Sequence, residues 1–172
     1  MAFHDDWLAL ARSLIPPHPG PHSPPPMQLR RGVSTAYYAL FHLLVHEAVT
    51  RIIAHPALHA ELGRSIDHGP TRAVCKEYAD AKLVGGALTT SSGDVIPNAL
   101  QDIGRAFVML LEARQRADYD TDPARDFNPA DAYDYLVAAE MAFLDWGSVQ
   151  GDPAALHMLT KIFKASLTRR RT

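Results

Sequence analysis

A single cysteine, Cys75, stands among the 172 residues of the chain, so no internal disulfide can form and a reducing, cytoplasmic setting is expected. No apolar run approaches the roughly 18 residues that a spanning helix needs, and the N-terminus lacks the basic and then apolar stretch of a secretory signal, so no membrane partner is expected. Neither sign of charge prevails. The 17 Lys and Arg stand against 19 Asp and Glu, a formal net charge of -2 with the nine histidines neutral, which argues against an obligate polyanion binder. Arg169, Arg170 and Arg171 form a small basic tail that still permits local contact with nucleic acid. A glycine-rich phosphate loop is missing too: Gly85-Gly86 is not followed by Lys-Ser or Lys-Thr, so nucleotide hydrolysis has no visible machinery. His42 and His46 have a helix-turn spacing that suits zinc. Leu43, however, occupies the place of a metalloprotease general base and no third ligand is assured, so no metal or other cofactor is expected. Cys75 has no thiol-protease signature around it and reads as a packing residue.

What is present is a chain 47% hydrophobic and 21% charged, enough for the core of one globular domain over residues 1–172. Asp5-Asp6 precede apolar residues at helical spacing from Trp7 to Ile15, and prolines from Pro16 stop that helix. Residues 16–26, PPHPGPHSPPP, have no periodicity and read as an extended proline-rich loop. From Met27 to about Ala54 neither proline nor a turn pair interrupts, which predicts a helix of about 28 residues, roughly 42 Å long at 1.5 Å per residue. Pro56 opens a short helix to about Leu62, GRSIDHGPTR reads as a turn, and Pro70 sits in the first turn of the next helix. Residues 84–96, VGGALTTSSGDVI, read as an irregular, mobile connection. Pro97 then opens a helix to about Tyr119 with Leu100, Ile103, Phe107, Leu110 and Leu111 on its apolar face. Asn128 before Pro129 starts a helix through Trp146, and Asp152 before Pro153 starts a terminal helix through about Leu167, the segment 152–172 ending in the basic tail. No strand alternation competes and no repeat is visible. The expected fold class is all-α: an up-and-down helical bundle of four to five main helices with additional short and C-terminal helices.

Two segments carry side chains that a purely structural helix does not need. In RRGVSTAYYALFH, at 100° per residue, Arg31, Ser34, Thr35, Tyr38 and His42 fall on one face of the long helix, with Leu40 and Leu44 opposite. Tyr38 and His42 are read either as core groups whose polar atoms bond a neighbouring helix or as the lining of a cleft or dimer face; in both cases the face is expected to turn toward the 97–119 helix. In LLEARQRADYDTD, Arg105, Met109, Glu112, Arg116 and Tyr119 share a face and Arg114 points roughly the other way. Arginines at a helix C-terminus are also ordinary dipole partners, and Asp118, Asp120 and Asp122 are also ordinary counterions.

RRGVSTAYYALFH, then DHGPTRAV, then LLEARQRADYD, in this order and spacing, resemble the HEPN domain family of small prokaryotic helical proteins, over roughly residues 5 to 148. The resemblance implies a bundle of four or five helices that forms a homodimer. It also implies a superfamily in which many members are metal-independent ribonucleases or toxins and some are partners of minimal nucleotidyltransferases. Catalytic members carry an Arg followed four to six residues later by His on a late helix, acting on the ribose 2'-hydroxyl and the phosphate across a dimer cleft. Here the corresponding place has Arg114 and then Tyr119, and a tyrosine with an ordinary pKa near 10 is a poor general base at neutral pH. Arg12 with His18 has the formal spacing but straddles the proline break. The first expectation is therefore a HEPN-like protein that binds RNA, nucleotide or a partner protein, possible settings being a toxin-antitoxin or stress-defence system. The enzyme alternative is a metal-independent ribonuclease toxin. Arg114, Tyr119 and His68 are the candidate catalytic residues, with His68 supplying the missing base, and Arg116, Asp118, Tyr38, His42 and Arg31 are the candidate binding residues.

Overall fold

Proline and its neighbours set most of the helix starts. Pro26, Pro129 and Pro153 each occupy the first helical position, where the absent N–H would have had no partner. Asn128 Oδ1 accepts from Asp131 N across 2.8 Å and Asp152 Oδ1 from Ala154 N across 2.7 Å, so both expected caps are made. The computed structural model describes residues 2–17 and 23–169. Residues 18–22 of the 16–26 loop, His18 among them, and the last residues of the basic tail lie outside them.

Seven helices account for most of the described residues: α1 (Phe3–Leu14), α2 (Pro26–Ile52), α3 (His59–Gly63), α4 (His68–Ala79), α5 (Asn98–Tyr119), α6 (Pro129–Val149) and α7 (Pro153–Arg169). Short 3-10 turns precede α3 (Pro56–Leu58) and α6 (Pro123–Arg125). The all-α bundle expected from the periodicity is what forms. α2 is its axle, packed on α1, α5, α6 and α7. Val33, Ala36, Tyr37, Leu40 and Leu44 are fully buried on it, and Leu100, Ile103, Phe107 and Leu110 of α5 meet them from one side. Among the described residues no helix is long and apolar enough to cross a membrane.

Residues 84–96 are not the irregular connection expected. Strands β1 (Lys82–Val84) and β2 (Ala87–Thr89) form an antiparallel hairpin in the register Val84 with Ala87, and Thr89 bridges Val95. Gly85 and Gly86, at φ 59° and 86°, supply the two positive-φ residues that a tight two-residue turn requires. The loop after the hairpin is pinned by Lys161 on α7, whose Nζ lies 2.7 Å from Glu77 of α4, 2.8 Å from Ser92 Oγ and 3.1 Å from Asp94.

α4 and α5 meet at Gly104, where a Cβ would stand 2.6 Å from the Cys75 carbonyl oxygen and 2.8 Å from the Ala79 nitrogen. At this crossing backbone abuts backbone. Arg30 closes the far end of α5. It pairs with Asp126 at 2.5 Å and donates to the carbonyls of Ala117 at 3.2 Å and of Asp120, so the orphan oxygens of the helix C-terminus are satisfied by an arginine of α2.

Candidate functional site

Adjacent residues on a helix diverge by about 100°, and the pair Tyr37-Tyr38 is divided accordingly. Tyr37 points into the core, fully buried, while Tyr38 is half-buried at the surface of α2 where α1 and α5 flank it. Tyr38 Oη accepts from Arg114 Nη2 at 2.8 Å, and the guanidinium also stands over the Tyr38 ring, 5.5 Å from its centroid. On its other side Arg114 faces the exposed Tyr119 ring at 5.4 Å, and its Nε is 2.7 Å from Asp118. Arg114 is thus held between two aromatic rings and one carboxylate, with cation–π attraction on both sides.

His68, the first residue of α4, comes close to this group. Its ring lies 6.0 Å from Tyr38 and 4.1 Å from Phe41, and burial together with the positive charge of Arg114 lowers its pKa against the opposing pull of Asp67. Its Nδ1 is 2.6 Å from the Tyr37 hydroxyl. Burial raises the ionisation of Tyr37 far beyond its ordinary value, so the phenol keeps its proton. That proton has no other acceptor among the described residues. Donation to Nδ1 satisfies it, whereas the reverse arrangement strands a buried O–H. The imidazole is therefore neutral, accepting at Nδ1 and carrying its proton on Nε2, which has no partner among the described residues. His68 presents a donor.

The remaining candidates separate. Arg31 is exposed, forms no ion pair among the described residues, and lines with Ser34, Tyr38 and Asp118 a cleft of about 470 Å³. Arg116 does not belong to this site: its guanidinium stacks 3.8 Å from the Phe127 centroid on the far side of α5, with Tyr135 at 6.0 Å. His42 does not turn toward α5 as expected. It stacks on Trp7 at 5.7 Å and meets Phe3 at 5.0 Å, both on α1, because one turn beyond Tyr38 the neighbouring helix has changed. The aspartates are already engaged: Asp118 by Arg114, Asp120 by Arg125 at 3.0 Å, and Asp122 by the Ala124 N–H.

Sequence reasoning singled out Tyr38 and missed Tyr37, Trp7 and Arg30. Tyr37 shares a face with Phe41 and Leu44, and a phenol on an apolar face needs a buried partner, which was the available signal. Among the described residues no cluster of three or more His, Cys, Asp or Glu can hold a metal ion. No protein-family model, curated protein or solved structure matches the chain.

Proposed function

We propose that the protein is a HEPN-like binding module that takes single-stranded RNA or a nucleotide at the Arg31, Tyr38 and Arg114 cleft. The observation that carries this reading is the Tyr37–His68 hydrogen bond, which directs a His68 Nε2–H donor to stand beside the Arg114 guanidinium at Tyr38, while the unpaired Arg31 lines the cleft and its carboxylate, Asp118, is taken by Arg114. Donors suit phosphate oxygens and base carbonyls, and the 71% exposed ring of Tyr119 is available for a base to stack on. The carboxylate of the cleft lining, Asp118, is paired with Arg114, and His68 Nδ1 is taken by the Tyr37 hydroxyl.

The test is binding of a fluorescent single-stranded RNA, with a salt titration and a metal-free cleavage assay run on the same samples. Binding that weakens with salt and with Arg31→Ala or Arg114→Ala, without cleavage, is the expected result. Absence of binding to RNA and mononucleotides at low salt overturns it. A metal-independent ribonuclease is the second reading, favoured by a neutral imidazole one ring away from an arginine. Cleavage lost in His68→Ala would select it.

A homodimer fits this reading. α5 and α6 enclose a groove of about 350 Å³ lined by Met109, Met141 and Ala142, with Arg105, paired to Asp102, on α5 and Asp145 on α6 at its edges, a patch that can complement a second copy of itself. Sedimentation showing only a mass near 18.9 kDa at micromolar concentration overturns the dimer. A role beside a minimal nucleotidyltransferase in a toxin-antitoxin or stress-defence system is the setting we propose for it, tested by co-purification with such a partner.

A further inference from the structure

A second cleft, of about 570 Å³, opens between the start of α1, the middle of α2 and α3. Its walls are apolar, formed by Phe3, Phe41, Val45 and Val49, and four imidazoles project among them: His4, His42, His46 and His59. We propose that this cleft is a nucleobase subsite, receiving an unstacked base of the RNA or nucleotide whose phosphate the Arg31 and Arg114 cleft holds, an inference that rests on the binding function proposed above.

Three kinds of occupant can be weighed against the lining. A phosphate needs fixed positive charge. His4 and His42 are driven toward the neutral form by burial, His42 further by His68 and His4, and Arg64, the one arginine in the lining, is already engaged by its neighbours. An aliphatic chain suits the walls but leaves the imidazoles without partners, and a neutral imidazole in an apolar cleft wants both a donor and an acceptor satisfied. His4 Nδ1 is buried with no hydrogen-bond partner among the described residues. His59 Nε2 donates to the Ile53 carbonyl at 2.9 Å, so its Nδ1 is a lone-pair acceptor. A planar, uncharged heterocycle with its own donors and acceptors answers both requirements, stacking on Phe3 or Phe41 while bonding imidazole nitrogens at its edge.

Two rings of the histidine cleft touch the group around Arg114. Phe41 lines the histidine cleft and lies 4.1 Å from His68, while His42 lines it and stacks on Trp7 and Tyr38 at 5.7 and 6.2 Å. A base seated against Phe41 and His42 leaves its sugar and phosphate near the His68 donor. His42 is thus stacked between Trp7 and Tyr38, and Phe3 meets it edge to face at the mouth of the cleft.

The experiment uses the full chain, with adenosine as a probe that carries no phosphate, decanoate as an aliphatic probe, and a labelled RNA oligonucleotide. Imidazole resonances of His42, His46 and His59 report the cleft. Ala60→Trp fills it from the exposed face of α3, and Phe3→Ala removes an exposed wall, so neither depends on a buried core position. The expected result is that adenosine moves these resonances in the wild type and not in Ala60→Trp, with RNA affinity falling about tenfold in either variant. RNA binding that keeps its Arg31 dependence while adenosine leaves the imidazoles unmoved and Ala60→Trp binds RNA normally overturns the subsite and spares the binding function. Adenosine binding without any Arg31- or Arg114-dependent RNA binding does the reverse. Decanoate moving the resonances where adenosine does not assigns the cleft to an aliphatic ligand and overturns the proposal.

Discussion

Arg114 and Tyr38 engage each other twice, through a 2.8 Å hydrogen bond from Nη2 to the phenol oxygen and through the face of the ring, 5.5 Å from the guanidinium carbon. Since the phenol accepts this bond, its own proton stays available to whatever enters the cleft. The arginine is held in place by the tyrosine it polarises.

Tyr38→Phe keeps the stacking and removes the acceptor. It is expected to cost about 0.5–1.5 kcal/mol of stability and to lower RNA affinity, because Arg114 loses the contact that orients it. Urea denaturation beside RNA titration checks this. Unchanged values in both separate Tyr38 from the site.

Tyr37→Phe strips the proton from His68 Nδ1. About 1–3 kcal/mol is expected to be lost, since the nitrogen is left without its donor inside the core. The lowered pKa of His68 should also rise, because a donor aimed at Nδ1 opposes protonation there, although burial and Arg114 still hold it down. Imidazole chemical shifts followed against pH read this directly, and a His68 titration identical in both proteins refutes the assigned tautomer.

Arg30→Ala and Arg31→Ala should behave as opposites. Arg30, with 11% of its side chain exposed, satisfies Asp126 and the end of α5. Removing it is expected to cost about 2–4 kcal/mol, with only partial rescue by Arg30→Lys, whose ammonium cannot reproduce the fork. Arg31→Ala, at an exposed and unpaired position, is expected to stay within about 0.5 kcal/mol of the wild type while weakening RNA binding. Equal denaturation midpoints for the two variants contradict the division of labour.

Acid should destabilise the fold before its carboxylates protonate. His4, His42 and His68 all titrate below their ordinary value, burial being the largest cause for each; repulsion between His4, His42, His46 and His68 and from Arg114 adds to it, and Asp5, Glu47 and Asp67 oppose it. In the unfolded chain these groups take up protons near pH 6.5, about where free histidine titrates. Below that pH the unfolded state holds more protons, so stability is complete above about pH 7 and is lost as pH falls through 6.5 toward the lowered folded values. Urea midpoints at pH 7.5 and 5.5 test the sign, and a midpoint that does not fall at pH 5.5 rejects it.

Helix ends were the most legible feature, because Asn128, Asp152 and the prolines act locally and need no neighbour to be interpreted. The α5 apolar face was equally plain, and all five residues assigned to it are buried. Faces of α2 were harder. A helix enclosed by four others has no single inner side, so its polar stripe divides: Tyr38 goes to α5, His42 to α1, and Arg31 to solvent. The Arg30-Arg31 and Tyr37-Tyr38 doublets show the same limit, since which member points inward depends on what packs there. Arg116 has the chemistry for phosphate and lies two positions from Arg114, but Phe127, eleven positions along, draws it away. Gly85-Gly86 is a two-residue hairpin signal, but strands of only three residues each show too little alternation to reveal the hairpin.

The contact at Gly104 makes α4 and α5 a pair of levers. From the crossing, α4 runs about 10 Å back to His68 and α5 about 15 Å forward to Arg114, at 1.5 Å per residue. Both arms extend toward the same end of the bundle, where Arg72 on α4 reaches Glu112 on α5 at 3.5 Å. With main chain resting on main chain, no soft side chain lies at the pivot to absorb a change of angle. A tilt of about 5° there displaces Arg114 by about 1 Å, as much as separates a hydrogen bond from a missed one. The spacing of the two cationic and imidazole groups is therefore a matter of leverage, set ten residues away by the smallest side chain in the alphabet.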